Sequence, residues 1–204
     1  MPPLVARAYA TAEAIGFGAD GGVSSCLPGV GRLLAVLAAG HPGGRLAEIG
    51  TGVGAGTAWM ASAMDNASTL VSVEVDPERA ELARQLLADD PRVTVVTARW
   101  QDHLPGLAPF DLVFVDGGYE EHLREDAAIR DAVVDLVRVG GQLVLDDLSP
   151  RPPGASTGVD HPADAKRELA LRHPRLVGAE LYVPGAAGEV GGTRSGALVM
   201  TRTS

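Results

Sequence analysis

Four glycines at alternate positions, Gly50, Gly52, Gly54 and Gly56, follow directly on the apolar run Leu46 to Ile49 and lead into Thr57, Trp59 and Met60. Glycine accepts positive φ freely and lets a backbone come close to a ligand. A strand that turns on such residues into a helix leaves free amide groups beside a bound cofactor. The acid closing the next apolar run is then placed to take a ribose diol, and in VSVEVDPE that acid is Glu74. Asp76, directly before Pro77, suits a helix N-cap better than a ligand role.

The flanking pattern says what kind of sheet carries this turn. Short runs at Leu46 to Ile49, Leu70 to Val75, Val93 to Val96, Leu112 to Val115 and Leu143 to Leu145 alternate with helical periodicity. They are mainly apolar rather than alternating, as expected of parallel strands covered on both faces. Two further runs, Leu176 to Val183 and Ala197 to Thr201, predict a closing antiparallel pair. The expected fold is α/β: a doubly wound, mostly parallel seven-stranded sheet. Leu4, Val5, Ala8, Tyr9, Ala12 and Ile15, and then Val30, Leu33, Leu34, Leu37 and Ala38, predict two helices ahead of it, with Ser24 and Ser25 as caps of the second. Gly140, after Arg138, reads as a helix C-terminus.

The chain reads as one domain over residues 1–204: a helical cover at 1–40, a cofactor-binding core at 44–147, and a substrate loop with closing strands at 148–204. The aperiodic SPRPPGASTG, Ser149 to Gly158, has the chemistry of a lid or substrate loop, ahead of a helical stretch at Ala163 to Arg172.

Charge narrows the partners. With 17 basic and 26 acidic residues the net charge is −9, which disfavours both nucleic-acid backbones and anionic membrane surfaces. One cysteine, Cys26, excludes an internal disulfide and any multi-thiolate metal site. Arg7 and Glu13 interrupt the apolar core that a signal peptide needs. The expected setting is the cytoplasm, and the expected partner a small molecule.

Three function classes fit the glycine turn. Gly50, Gly52 and Ala55 satisfy the G-x-G-x-x-G/A dinucleotide fingerprint with Glu74 at the expected spacing, so an NAD-dependent oxidoreductase is one. Glu48 argues for another, because a carboxylate there can bind an ammonium group but repels a pyrophosphate, favouring an amino-acid-bearing nucleoside. A cofactor-binding module without catalysis is the third. Asp116 and Asp146 close apolar runs, with Asp147 next in the chain. Either the three hold a hard cation such as Mg²⁺, or Asp116 orders the cofactor while Asp146 and Asp147 cap the following loop. His122 lies in the charged EEHLRED, where a solvated face is expected.

On these motifs the sequence resembles the class I S-adenosylmethionine-dependent methyltransferases, and among them the small O-methyltransferases of the catechol and caffeoyl-CoA type. The resemblance runs from about Gly29 to Met200. It implies a Rossmann-like methyltransferase fold, with EIGTGVGAGT as the family's first motif, supplying Gly50, Gly52, Gly54 and Thr57, and with Glu48 near the methionine amino group. It implies Glu74 on the ribose hydroxyls, Trp100 and Gln101 at the adenine, Asp116, Asp146 and Asp147 on a divalent metal, and Asp116 and Tyr119 at the catalytic positions. It also implies a small-molecule acceptor and allows a homodimer. Two positions depart from the family: Asp147 stands where asparagine is common, and Tyr119 where a lysine base is usual. A metal-independent methyl transfer to oxygen or nitrogen is therefore the alternative within the family.

Overall fold

The computed structural model describes residues 1–17, 25–116, 127–148, 167, 172–183 and 195–204. Two helices open it, α1 (Pro3–Ala14) and α2 (Pro28–Ala39), each with a proline in its first turn, where a missing N–H costs nothing. The β/α alternation follows: β1 (Arg45–Ile49), α3 (Ala55–Ala61), β2 (Thr69–Glu74), α4 (Pro77–Leu87), β3 (Val93–Thr97), α5 (Trp100–His103), β4 (Phe110–Val115), α6 (Ala127–Leu136) and β5 (Val137–Leu148). β6 (Leu176–Val183) and β7 (Ser195–Arg202) close the sheet.

The seven strands stand in the order β3-β2-β1-β4-β5-β7-β6. β1 to β5 are parallel, while β7 runs antiparallel to both β5 and β6. The order reverses between β1 and β4, so the chain winds outward in both directions from that pair. Crossover helices diverge there and leave a crevice at the carboxyl ends of the strands.

Successive strand residues feed two cores on opposite faces. Ala47, Ile49, Val113, Val115, Leu143 and Leu145 pack with Trp100, Leu104 and the α6 residues Val133 and Val134. Leu46, Leu70, Leu112, Phe114 and Val144 pack with α1, α2, α3 and α4 through Val5, Val30, Leu34, Trp59 and Leu86. Both faces of β1 and β4 are thus covered, which explains why their residues are mainly apolar and do not alternate.

Several boundaries and caps differ from the sequence reading, most of all β5, which runs Val137–Leu148 where only Leu143 to Leu145 was expected. β2 ends at Glu74, and Val75 lies outside it, largely exposed. Gly140 does not end a helix: α6 stops at Leu136, and Gly140 sits within β5 at φ 80°, where the β4–β5 register jumps from Phe110↔Val137 to Leu112↔Gln142. A glycine at positive φ serves a strand bulge as readily as a helix end. Nor does Ser25 cap α2, whose N-cap is Leu27 with no side-chain bond. Ser24, the loop at Ser149 to Gly158, and most of the stretch at Ala163 to Arg172 lie outside the described residues. Among the described residues no helix is long and apolar enough to cross a membrane.

Candidate active site

β1 leaves the sheet at Ile49, and Gly50 turns with φ 91°. A Cβ on Gly50 would collide with the carbonyl oxygen of Asp116, so only glycine permits this approach. The Asp116 N–H donates to Ile49 O at 2.8 Å, tying the ends of β1 and β4, and the Gly50 N–H donates to Val73 O at 2.9 Å, tying the turn to β2. The turn then passes Gly52 and enters α3 from Gly54, whose φ is 95°.

Glu74, at the end of β2, faces this turn. Its Oε2 accepts from the Gly52 N–H at 2.7 Å and its Oε1 from the Asp76 N–H at 3.0 Å. Arg79 Nη2 stands 3.4 Å from the same Oε1. Each carboxylate oxygen has a second lone pair, so the group can still accept from a ligand hydroxyl. Asp76 takes the role expected of it, capping α4 through Oδ1 with the N–H groups of Glu78 at 2.9 Å and Arg79 at 3.1 Å. Those backbone donors, that of Arg79 first, hold its carboxyl below the ordinary range.

Glu48 is fully buried. Its Oε2 accepts from Ser72 Oγ at 2.5 Å and from Thr57 Oγ1, while Thr51 Oγ1 lies 2.5 Å from Ser72 Oγ. Since the single hydroxyl proton of Ser72 points to Glu48, Thr51 is the donor of that last bond. The other oxygen, Oε1, is turned towards Gly56 and has no hydrogen-bond partner among the described residues. Burial pushes this carboxyl up to about 7 against the opposing pull of the two hydroxyls.

The turn, Glu74 and Asp116 line one solvent-open cavity at the switch between β1 and β4. Its other walls were not legible in the sequence. Phe17 lies over Gly52, with Arg79 Cζ 5.6 Å from its ring centroid, and Ser25 and Cys26 approach from the segment before α2. No periodicity marks these positions. They arrive by packing of the N-terminal helices, with Tyr9 Oη donating to Cys26 O at 2.6 Å and accepting from Trp59 Nε1 at 3.1 Å.

The remaining expected site residues are spread more widely. Trp100 is buried in the core with Leu104, and Gln101 follows it in α5; neither lines this cavity. Glu48 and Thr57, bonded to each other behind the turn, do not line the cavity, nor does Gly54, which starts α3. Asp146 is buried near the end of β5, whose Leu145 pairs with Val115, the neighbour of Asp116. The Asp147 side chain, Tyr119 and His122 lie outside the described residues. Among the described residues no three His, Cys, Asp or Glu side chains come together as a metal cluster.

A doubly wound sheet with an antiparallel seventh strand, a glycine turn at its switch point and an acid ending β2 defines a class I S-adenosylmethionine-dependent methyltransferase. A methyltransferase domain family matches residues 47–148, and the chain belongs to it. A protein of Mycobacterium ulcerans, provisionally named an O-methyltransferase, is 31% identical over 160 residues, covering 63% of this chain and 71% of the relative. A similarly named protein of Mycobacterium tuberculosis is 33% identical over 132 residues, 62% of this chain but only 57% of the relative's length. Among solved structures, the O-methyltransferase TomG of Streptomyces achromogenes, involved in tomaymycin synthesis and solved with S-adenosylmethionine, superposes with a TM-score of 0.77 at 25% identity, over 100% of this chain and 91% of that one. A cofactor-bound protein from MTB superposes with a TM-score of 0.75 at 28% identity, over 100% and 92% of the two chains. These likenesses set aside the dinucleotide oxidoreductase that the glycine fingerprint alone allowed.

Proposed function

We propose that this methyltransferase acts on a hydroxyl oxygen of a small molecule in the cytoplasm, with the cavity at the β1–β4 switch holding the cofactor. The observation that carries the reading is the shared cavity of Gly50, Gly52, Glu74 and Asp116. Two features of the chain fit the cofactor: a turn that a single Cβ at Gly50 would close, and the unpartnered Glu48 Oε1, which suits a cationic neighbour. The names of the relatives support oxygen as the acceptor atom.

Bound S-adenosylmethionine supplies an electrophilic methyl group on a sulfonium centre. Glu74 accepts from the ribose hydroxyls, the turn from Gly50 to Gly54 presents its backbone to the amino-acid portion, and Glu48, held by Thr57 and Ser72, offsets the ammonium charge. Trp100 and Gln101 remain the proposed adenine side. The acceptor oxygen must lie in line with the methyl–sulfur bond, so the chain's main task is positioning. Asp116 adjoins both halves of the crevice and is the proposed acceptor of the hydroxyl proton, with Tyr119 beside it in sequence. Asp116, Asp146 and Asp147 are the residues that would hold a hard divalent cation, which lowers the pKa of a coordinated hydroxyl. A second copy of the chain as partner belongs to the same proposal.

Calorimetry tests the placement. Glu74→Ala should weaken S-adenosylhomocysteine binding by about 1.5 to 3 kcal/mol, the range for hydrogen bonds to a charged group. Unchanged affinity in the folded variant removes Glu74 from the site.

A further inference from the structure

A single cation, Arg79, stands among the described residues that line the cavity, in a wall otherwise acidic and neutral. Its place in the first turn of α4, three residues after the N-cap Asp76, brings it beside Glu74. Nη2 is 3.4 Å from Glu74 Oε1, and Nε is 3.5 Å from Asp76 Oδ2. Both separations exceed the roughly 2.7 to 2.9 Å of a charge-assisted hydrogen bond. Nε is buried and has no hydrogen-bond partner among the described residues. Burying a charged donor without a partner is unfavourable, more so than for a neutral one. The guanidinium is nevertheless held in place, with Cζ 5.6 Å from the centroid of the Phe17 ring, a cation–π contact, and Phe17 lies over Gly52 in the glycine turn.

We infer that Arg79 donates a hydrogen bond to the ribose diol of the bound cofactor, so that the diol is read by a donor and an acceptor together. This rests on the cavity being the cofactor site and on Glu74 facing the ribose. The chemistry of a diol asks for both partners. Each hydroxyl carries one proton and two lone pairs. Glu74 takes the protons, because a carboxylate only accepts, and the lone pairs then need a donor beside it. Of the two cavity groups that touch Glu74, the Gly52 N–H is spent on the carboxylate itself, whereas Arg79 keeps N–H groups to spare. A guanidinium carries five such donors in a rigid plane, so its ion-pair contact with Oε1 leaves others for a hydroxyl seated on that oxygen. Asp116, the other charged group of the wall, is an acceptor and cannot substitute.

Calorimetry with two probes tests this: S-adenosylhomocysteine, and its 2′,3′-dideoxy analogue, which lacks the diol and nothing else. Arg79→Met keeps an unbranched side chain against Phe17 but no donor. It should lose about tenfold in affinity for S-adenosylhomocysteine and stay within about twofold for the analogue. Arg79→Gln restores a neutral donor and should recover part of the loss. In a Glu74→Ala background, Arg79→Met should still weaken binding severalfold, since the donor touches the ribose itself. Equal loss for the two probes means that Arg79 only packs against Phe17, and overturns the inference. A cost that vanishes without Glu74 overturns it too, because Arg79 then acts solely by holding the carboxylate. So does a glutamine variant no better than the methionine one, or undiminished binding by both. Failure of the parent protein to bind S-adenosylhomocysteine, or full affinity in Glu74→Ala alone, overturns the cofactor placement itself.

Discussion

Glu48 is a carboxyl whose burial works against its ionisation. A carboxyl raised from its ordinary 4.5 to about 7 holds its proton more tightly folded than unfolded. Its contribution is therefore fully favourable below pH 4.5, declines as pH rises through 7, and is constant above that. The size follows from the shift, at most about 3 kcal/mol at 1.36 kcal/mol per unit. Glu48→Gln keeps an oxygen to accept from Thr57 and Ser72 but cannot ionise. It should match the parent near pH 4.5 and exceed it by about 1 to 3 kcal/mol at pH 8, measured by denaturant unfolding at both pH values. If Glu48 offsets the cofactor's ammonium, the same variant binds S-adenosylhomocysteine less tightly. A stability difference independent of pH would show that the carboxyl titrates normally.

At the scale of elements, what was legible depended on whether a signal had one physical cause or two. The mainly apolar runs of β1, β2 and β4 suit buried parallel strands with helices over both faces; the structure places β1 and β2 within a residue of expectation and starts β4 two residues earlier, at Phe110. Asp76-Pro77 was equally unambiguous, since the aspartate oxygen and the proline each suit a helix start. Gly140 had two readings. Val137, Arg138 and Val139 suit a helix end or a strand, and the residue at φ 80° belongs to the β5 bulge. Ser25 failed similarly, because serine before a helix signals a cap, and only packing reveals an unused hydroxyl facing a cavity. The bulge can be tested directly. A Cβ on Gly140 meets only the end of Arg138, so steric space is available and the penalty is backbone strain. Gly140→Ala should cost about 1 to 2 kcal/mol in denaturant unfolding and leave cofactor affinity unchanged, as the bulge is remote from the cavity. A neutral substitution would mean that the left-handed conformation is not held in solution.

For the molecule as a whole, the switch point concentrates unfavourable features that ligands can relieve. Among the described residues Glu48 keeps one oxygen and Ser25 its hydroxyl without a hydrogen-bond partner, and Asp116 and Asp146 lie near the ends of adjacent strands in a chain of net charge −9. A ligand that binds only the folded state adds about 2.7 kcal/mol of stability at a hundred times its Kd. For a chain of this size each kcal/mol is worth about 2 to 4 °C, so saturating S-adenosylhomocysteine should raise Tm by about 5 to 10 °C. NAD should produce no such shift, because the family's cofactor is S-adenosylmethionine. The proposed cation gives a separate increment: Mg²⁺ should raise Tm further in the parent, a chelator should reverse it, and Asp146→Asn should abolish that increment while keeping the one from S-adenosylhomocysteine. Independence of the two increments follows from their sites, since Glu74 and the glycine turn hold the cofactor, whereas Asp146 lies beyond β4 on the next strand. If Mg²⁺ leaves Tm unchanged and chelation leaves methyl transfer intact, the carboxylates at the ends of β4 and β5 serve the loops that follow, and the enzyme works without a metal.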